Sequence, residues 1–304
     1  MYVVDMHCDS LMLAERGEPL VKSYNVSGSG RYLQFFAHFS STGSGDAARR
    51  REHLMENHAR WLSESRRHSL CVIRTAKELS EAVRLGKSAS LFSVEGGGGI
   101  IPHSPELSAL FEGGLRVFGP VWDENELGAA AWSQEDFGLT AAGREVLAEV
   151  LALGIIPDVS HMSDRGFWQL SQMTDKPFIA THSNFRSVCA SPRNLTLEMA
   201  LEIRRRGGVI GLNIYPPFLS DTGSADSDDI IRHVDYALEK LGEDTLAFGF
   251  DIDGTDGMYP RGFNESESMH DRVCELLALR YGERVAEKIS GKNVLSFLEA
   301  NLPR

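Results

Sequence analysis

The sequence predicts an α/β chain closed into a (β/α)8, or TIM, barrel. Three observations predict it. Eight short apolar or aromatic runs begin near residues 2, 32, 88, 114, 154, 177, 208 and 245, with helical patterns between most of them. Strands that alternate with helices build parallel sheets. Metal-ligand residue types recur at the ends of five of these runs, and barrel chemistry gathers at C-terminal strand ends. Finally, no G-x-G-x-x-G follows a strand, which removes the commonest reason to expect an open doubly wound sheet.

The 304 residues suit one such domain, a single barrel over 1–304 with C-terminal helices from about 265. With 42% hydrophobic and 24% charged residues the chain can bury a core in water. A net charge of −12 argues against nucleic acid and anionic membrane as partners. The four cysteines, Cys8, Cys71, Cys189 and Cys274, match no zinc-finger or C-x-x-C spacing, so a reduced cytoplasmic protein is expected. No apolar run is long enough to span a bilayer. A strand starting at residue 2 leaves no room for a leader peptide. Barrel exteriors often pair, so a homodimer is compatible with the sequence.

The elements follow in order. The apolar start Tyr2-Val3-Val4 leads into Met6-His7-Cys8-Asp9-Ser10. Alternation along a strand puts His7 and Asp9 on one side and turns Cys8 away into the wall. Residues 11–30 read as a polar loop or short helix, and 32–39 as an aromatic-rich strand. A helix over 46–67 carries Arg49-Arg50-Arg51, read as a solvated face. A short strand near 70–73 and a helix over 76–85 come next. Strands over 88–95 and 114–119 flank a helix over 105–111. Thr140 caps a helix to 153, and a strand over 154–160 precedes a helix over 163–173. A strand over 177–181 and a helix over 196–206 follow, the latter closed by Gly207-Gly208. Strands over 209–215 and 245–250 enclose a helix over 228–241. Helices over 270–280, 284–289 and 293–301 end the chain.

The strand ends carry the chemistry. The first ends in His7 and Asp9, the third in Glu95, the fifth in Asp158-Val159-Ser160-His161, the sixth in Thr181-His182-Ser183 and the eighth in Asp251-Ile252-Asp253-Gly254. Each alone is an ordinary polar strand end, but in a barrel all five converge on one mouth. His7, Asp9, Glu95, His161 and His182 are too many ligands for one tetrahedral ion. Two zinc ions bridged by Glu95 fit the set, one with His7 and Asp9, the other with His161 and His182. Such a pair can hold a bridging hydroxide and polarise a carbonyl. Asp251 then stands as general acid/base.

Taken together, these pieces resemble the membrane (renal) dipeptidase family of zinc peptidases. The resemblance runs over essentially the whole chain and includes Asp5-Met6-His7-Cys8-Asp9, Ser93-Val94-Glu95-Gly96-Gly97, Ser191-Pro192-Arg193-Asn194-Leu195 and Ile289-Ser290-Gly291-Lys292-Asn293. It implies a barrel with two zinc ions and hydrolysis of dipeptides, with tolerance of a D-residue at the C-terminal position. By motif match it implies that Arg193 binds the substrate carboxylate, which suits a planar guanidinium, and that Tyr215 lines the pocket.

One departure stands out. Where the family often has a substrate-contacting histidine after the fourth strand, this chain has Gly119-Pro120-Val121-Trp122-Asp123, with no histidine between His103 and His161. Trp122 offers one N–H donor and no charge. A slower reaction, another donor or a different substrate are each consistent with it. The alternatives to a dipeptidase are an amidohydrolase acting on a cyclic amide, lactone or N-acyl amino acid, and a catalytically weak metal-binding relative.

Overall fold

The computed structural model describes residues 1–22, 26–263 and 268–304. Among the described residues eight parallel strands are present: β1 Val3–Cys8, β2 Tyr32–Phe39, β3 Cys71–Val72, β4 Ala89–Glu95, β5 Leu115–Gly119, β6 Ile156–Pro157, β7 Ile210–Leu212 and β8 Leu246–Phe248. Seven run in the order β6-β5-β4-β2-β1-β8-β7, and β3 pairs only with the first residues of β4. The ring is completed by single bridges, Asp158 to Ile179 and Ala180 to Ile210. The barrel therefore closes, but the strand expected over 177–181 is reduced to two bridging residues.

The expected strands over 154–160, 209–215 and 245–250 are likewise shortened. The cause is at their C-terminal ends, where side chains replace the ladder as backbone acceptors. Asp158 Oδ1 takes the N–H of Ser160 and of Thr181, Ser160 Oγ takes that of His182, and Asn184 Oδ1 takes that of Asn213. A strand end paired this way satisfies its donors and ceases to be regular sheet.

Inward positions alternate along β2 and β4. Leu33, Phe35, Ala89 and Leu91 join Val4, Met6, Val117, Ile179 and Ala247 in an inner core, while Val3, Phe36, Phe92 and Phe118 belong to the outer core. Continuing the β4 alternation brings Glu95 inward at the mouth. β1 breaks the pattern. Asp5 pairs with Gln34 and Cys8 with Phe36, so Met6 and His7 together oppose Phe35. This is a β-bulge, and it re-aims the strand. Met6 and His7 both turn inward, whereas Asp5 and Cys8 turn outward.

The helices match their sequence signals. Thr140, Ser163 and Thr196 cap Ala141–Leu153, Asp164–Met173 and Leu197–Arg205, each side chain accepting a backbone N–H from the first turn. Two corrections concern the surface and the C-terminus. Arg50 does not lie on a solvated face: it is 4% exposed and bonds Gly45 O and Glu126. Ile289-Ser290-Gly291-Lys292 lies in a π turn, Lys288–Lys292, where Gly291 rests against the Tyr2 carbonyl. The C-terminal helices begin with Met269–Tyr281. Their expected start near 265, and part of the expected 11–30 loop, lie outside the described residues. Among the described residues no helix is long and apolar enough to cross a membrane.

Candidate active site

The five expected ligand residues and Asp251 meet at the barrel mouth. His7 Nε2 lies 3.6 Å from Asp9 Oδ2, from Glu95 Oε2 and from Asp251 Oδ1. On the other side of Glu95, Oε1 lies 2.7 Å from His161 Nε2 and 3.2 Å from His182 Nε2, and the two ring nitrogens are 2.9 Å apart. Glu95 thus faces one cluster with each carboxylate oxygen. His7, Asp9 and Glu95 form one set able to hold an ion, and Glu95, His161 and His182 another. All six residues are buried.

The local backbone is built for this convergence. His161 and Asp251 follow their strands with φ of 68° and 62°, a left-handed conformation uncommon outside glycine and concentrated at functional sites. Gly254 is required by close approach, since a Cβ there would strike Asp9 Oδ2 and Asp251 Oδ1. His182 is oriented by a chain of hydroxyl and carboxylate. The Thr181 hydroxyl donates to Asp158 Oδ2, and its oxygen lies 2.8 Å from His182 Nδ1. With the hydroxyl proton committed, Nδ1 carries the ring N–H and Nε2 is left as a bare lone pair.

The electrostatics call for added positive charge. Burial disfavours a charged His7, yet Glu95, Asp9 and Asp251 outweigh it and push the imidazole up to about 10. Burial raises the Glu95 carboxyl well above its ordinary range, against the pull of His7. Burial also raises Asp251 to about 6, His7 opposing and Asp9 adding to the rise. His161 and His182 are held well below the ordinary imidazole value, chiefly by burial. Carboxyl groups and imidazoles gathered in a dry site are the donor set of a divalent cation. His7 Nε2 and Asp9 Oδ1, both buried, have no hydrogen-bond partner, which fits a metal in that position.

Above the cluster opens a cavity of about 550 Å3. Asp9, Glu95, His161 and Asp251 form its floor, and Trp122 and Tyr215 stand in its wall as the sequence had suggested. Trp122 packs edge-on against Phe39 at 4.9 Å and lies 5.9 Å from the His161 ring. Arg193 is placed differently. It is 3% exposed, does not reach the cavity wall, and donates to Ser183 Oγ at 2.9 Å and to the His182 carbonyl at 3.0 Å. Its Nε has no partner.

Sequence reasoning passed over several residues that matter here. Asn213 donates to Asp251 Oδ2 at 3.0 Å and orients it. Phe39, Trp132 and Phe218 line the cavity, as does Asp256. Apolar periodicity gives no signal for these, because each lies at a strand end, in a loop or, for Phe218, in the short helix Pro216–Leu219.

Comparison with known proteins gives the family. Residues 2–301 match the model of the membrane dipeptidase family, peptidase family M19. An uncharacterised protein from the pqqA 5′ region of Klebsiella pneumoniae is 35% identical over 222 residues, covering 69% of this chain and 81% of that protein. The crystal structure of dipeptidase AC, a metallo peptidase of family M19, superposes with a TM-score of 0.89 at 27% identity, covering 100% of this chain and 99% of that one. A metallo peptidase from Rhodobacter sphaeroides, liganded with a phosphinate mimic of the dipeptide L-Ala-D-Ala, superposes with a TM-score of 0.88 at 26% identity, covering 99% of each chain. With the family model spanning nearly the whole sequence, the chain belongs to the membrane dipeptidase family, peptidase family M19.

Proposed function

We propose that this chain is a zinc-dependent dipeptidase that holds two ions bridged by Glu95 and accepts a D-residue at the C-terminal position. The observation that carries this is the placement of Glu95, one oxygen toward His7 and Asp9 and the other toward His161 and His182, under a cavity floored by Asp251. Two bound zinc ions would supply Lewis acidity and an activated water at neutral pH. Asp251, raised toward neutrality by burial and oriented by Asn213, can hold a proton and pass it to the leaving amine. Trp122, beside His161, bounds the floor and limits water at the scissile bond. Arg193 carries the positive charge behind the cluster, toward which a substrate carboxylate would orient. Support for the D-residue comes from the Rhodobacter sphaeroides peptidase, 26% identical, with its L-Ala-D-Ala mimic. Four free cysteines support work in a reducing, cytoplasmic setting.

One observation favours a second reading. Arg193 lies behind the wall with both terminal nitrogens donating to Ser183 Oγ and the His182 carbonyl, so a substrate without a free carboxylate, such as a cyclic amide or lactone, is the alternative. Turnover of matched L-L and L-D dipeptides by zinc-loaded and chelated protein tests the first reading. Zinc-dependent cleavage is expected. No cleavage, with zinc bound, would shift the assignment to the second.

A further inference from the structure

The cavity above the ligand cluster has an aromatic outer half that cleavage of a peptide bond does not itself require. Phe39 and Trp122 pair near the floor, and Tyr215 and Phe218 pair edge-on at 4.9 Å higher in the wall. Trp132 completes this rim, its ring 6.4 Å from that of Phe218. It is 58% exposed. It also borders an adjoining cleft of about 410 Å3, so the indole stands between two hollows.

This exposure does not come from a loose loop. Ala131 N–H donates to the His161 carbonyl at 2.8 Å, Ala129 N–H to the Gly138 carbonyl at 2.8 Å, and Ala130 N–H to Ser133 Oγ at 3.0 Å. The loop that carries Trp132 is therefore fastened to the backbone of a cluster residue. A rigid loop that holds a large indole in water beside a reactive floor has its apolar face ready for a ligand. A cavity of about 550 Å3 lies within the range that encloses ligands of drug size, about 300–1000 Å3.

Resting on the dipeptidase reading, we propose that Trp132, with Phe218, forms a side-chain subsite that selects dipeptides bearing a large apolar residue. The side chain seats against the indole and phenyl faces while the peptide bond lies over Glu95 and Asp251. The competing occupant is a lysine side chain, drawn to the indole face and to Asp256 on the same wall.

The test compares kcat/KM of zinc-loaded wild type, Trp132→Ala and Trp132→Phe on Ala-Ala, Phe-Ala, Ala-Phe and Lys-Ala. Wild type should favour the better phenylalanine dipeptide over Ala-Ala by about tenfold or more. Trp132→Ala should shrink that preference to roughly threefold or less, and Trp132→Phe should restore most of it. An unchanged preference in Trp132→Ala, or a wild-type preference for Lys-Ala, would overturn the subsite. If wild type cleaves none of the four, the dipeptidase reading fails by itself. Calorimetric titration with phosphinate mimics of Ala-Ala and of the phenylalanine dipeptides then decides the subsite. Tighter binding of a phenylalanine mimic that is lost in Trp132→Ala supports it, and equal or no binding overturns it.

Discussion

Asp5 and His270 form a fully buried pair, Oδ2 to Nε2 at 2.7 Å, that ties the first strand to the first C-terminal helix. The other oxygen of Asp5 accepts the backbone N–H of His7 at 3.1 Å and of Phe250 at 3.0 Å. One carboxylate thus grips the residue preceding Asp251 and the backbone of His7. The His270 ring also stacks on Phe250 at 5.0 Å. Replacing His270 with Ala leaves a buried carboxylate without its side-chain partner, at a cost of about 3 kcal/mol or more. Urea unfolding should show that loss. An unchanged midpoint would mean that the pair does not brace the strands.

Asp251→Asn should lower kcat by roughly a hundredfold to ten-thousandfold while zinc content stays at the wild-type level. Asn tolerates the left-handed backbone that Asp251 adopts at φ 62°, so the substitution tests the proton rather than the fold. Turnover with elemental analysis checks it, and near-normal turnover would remove Asp251 from proton transfer.

On the two-ion proposal, removal of His161 or His182 should reduce bound zinc from two ions per chain to about one, since Glu95, His7 and Asp9 remain on the other side. Chelation of the wild-type protein should lower the melting temperature, because ions bound only by the folded state stabilise it by mass action. Two ions retained by His182→Ala would break the two-site assignment.

Gly254→Ala should disturb the cluster without touching a ligand. Its methyl would collide with Asp9 Oδ2 and Asp251 Oδ1, and these carboxylates are held in place by a packed site. Loss of zinc affinity together with activity is expected in equilibrium dialysis. Wild-type affinity would show that the 254 backbone moves aside freely.

Acid should destabilise the fold through histidines remote from the cluster. Burial lowers His233 to about 4, with the Leu219 carbonyl opposing, and lowers His38 to about 3, helped by His53. Below about pH 6.5 the unfolded chain takes up protons that the folded one refuses, so stability falls as pH drops toward 4. For His233 the loss is roughly 3 kcal/mol at most. The stability gap between wild type and His233→Gln should therefore narrow between pH 7 and pH 4 in urea titrations. A constant gap would show that His233 is not held neutral.

The sequence by itself determined the barrel class and the converging residues. Hydrophobic runs mark the strand positions, and a barrel brings all its strand ends to one mouth, so His7, Asp9, Glu95, His161, His182 and Asp251 could be paired with a site before any distance was known. The cap at Thr140 was legible for a similar reason, because capping is a contact over three residues. What only the tertiary structure decided depends on partners far apart in the chain. The β1 bulge is one such case: alternation treats Asp5 and His7 as neighbours on one face, yet the bulge sends His7 inward and Asp5 outward to His270, 265 residues away. The shortened strands at 179–180 and 210–212 are another, since the N–H groups of Thr181, His182 and Asn213 just beyond them go to side chains of Asp158, Ser160 and Asn184 rather than to a neighbouring ladder. Arg193 is a third: a motif can mark it for a carboxylate, but only packing shows its guanidinium against Ser183 and His182. Local rules act over a few residues, whereas these arrangements are set by which distant donors and acceptors must be satisfied once water is gone.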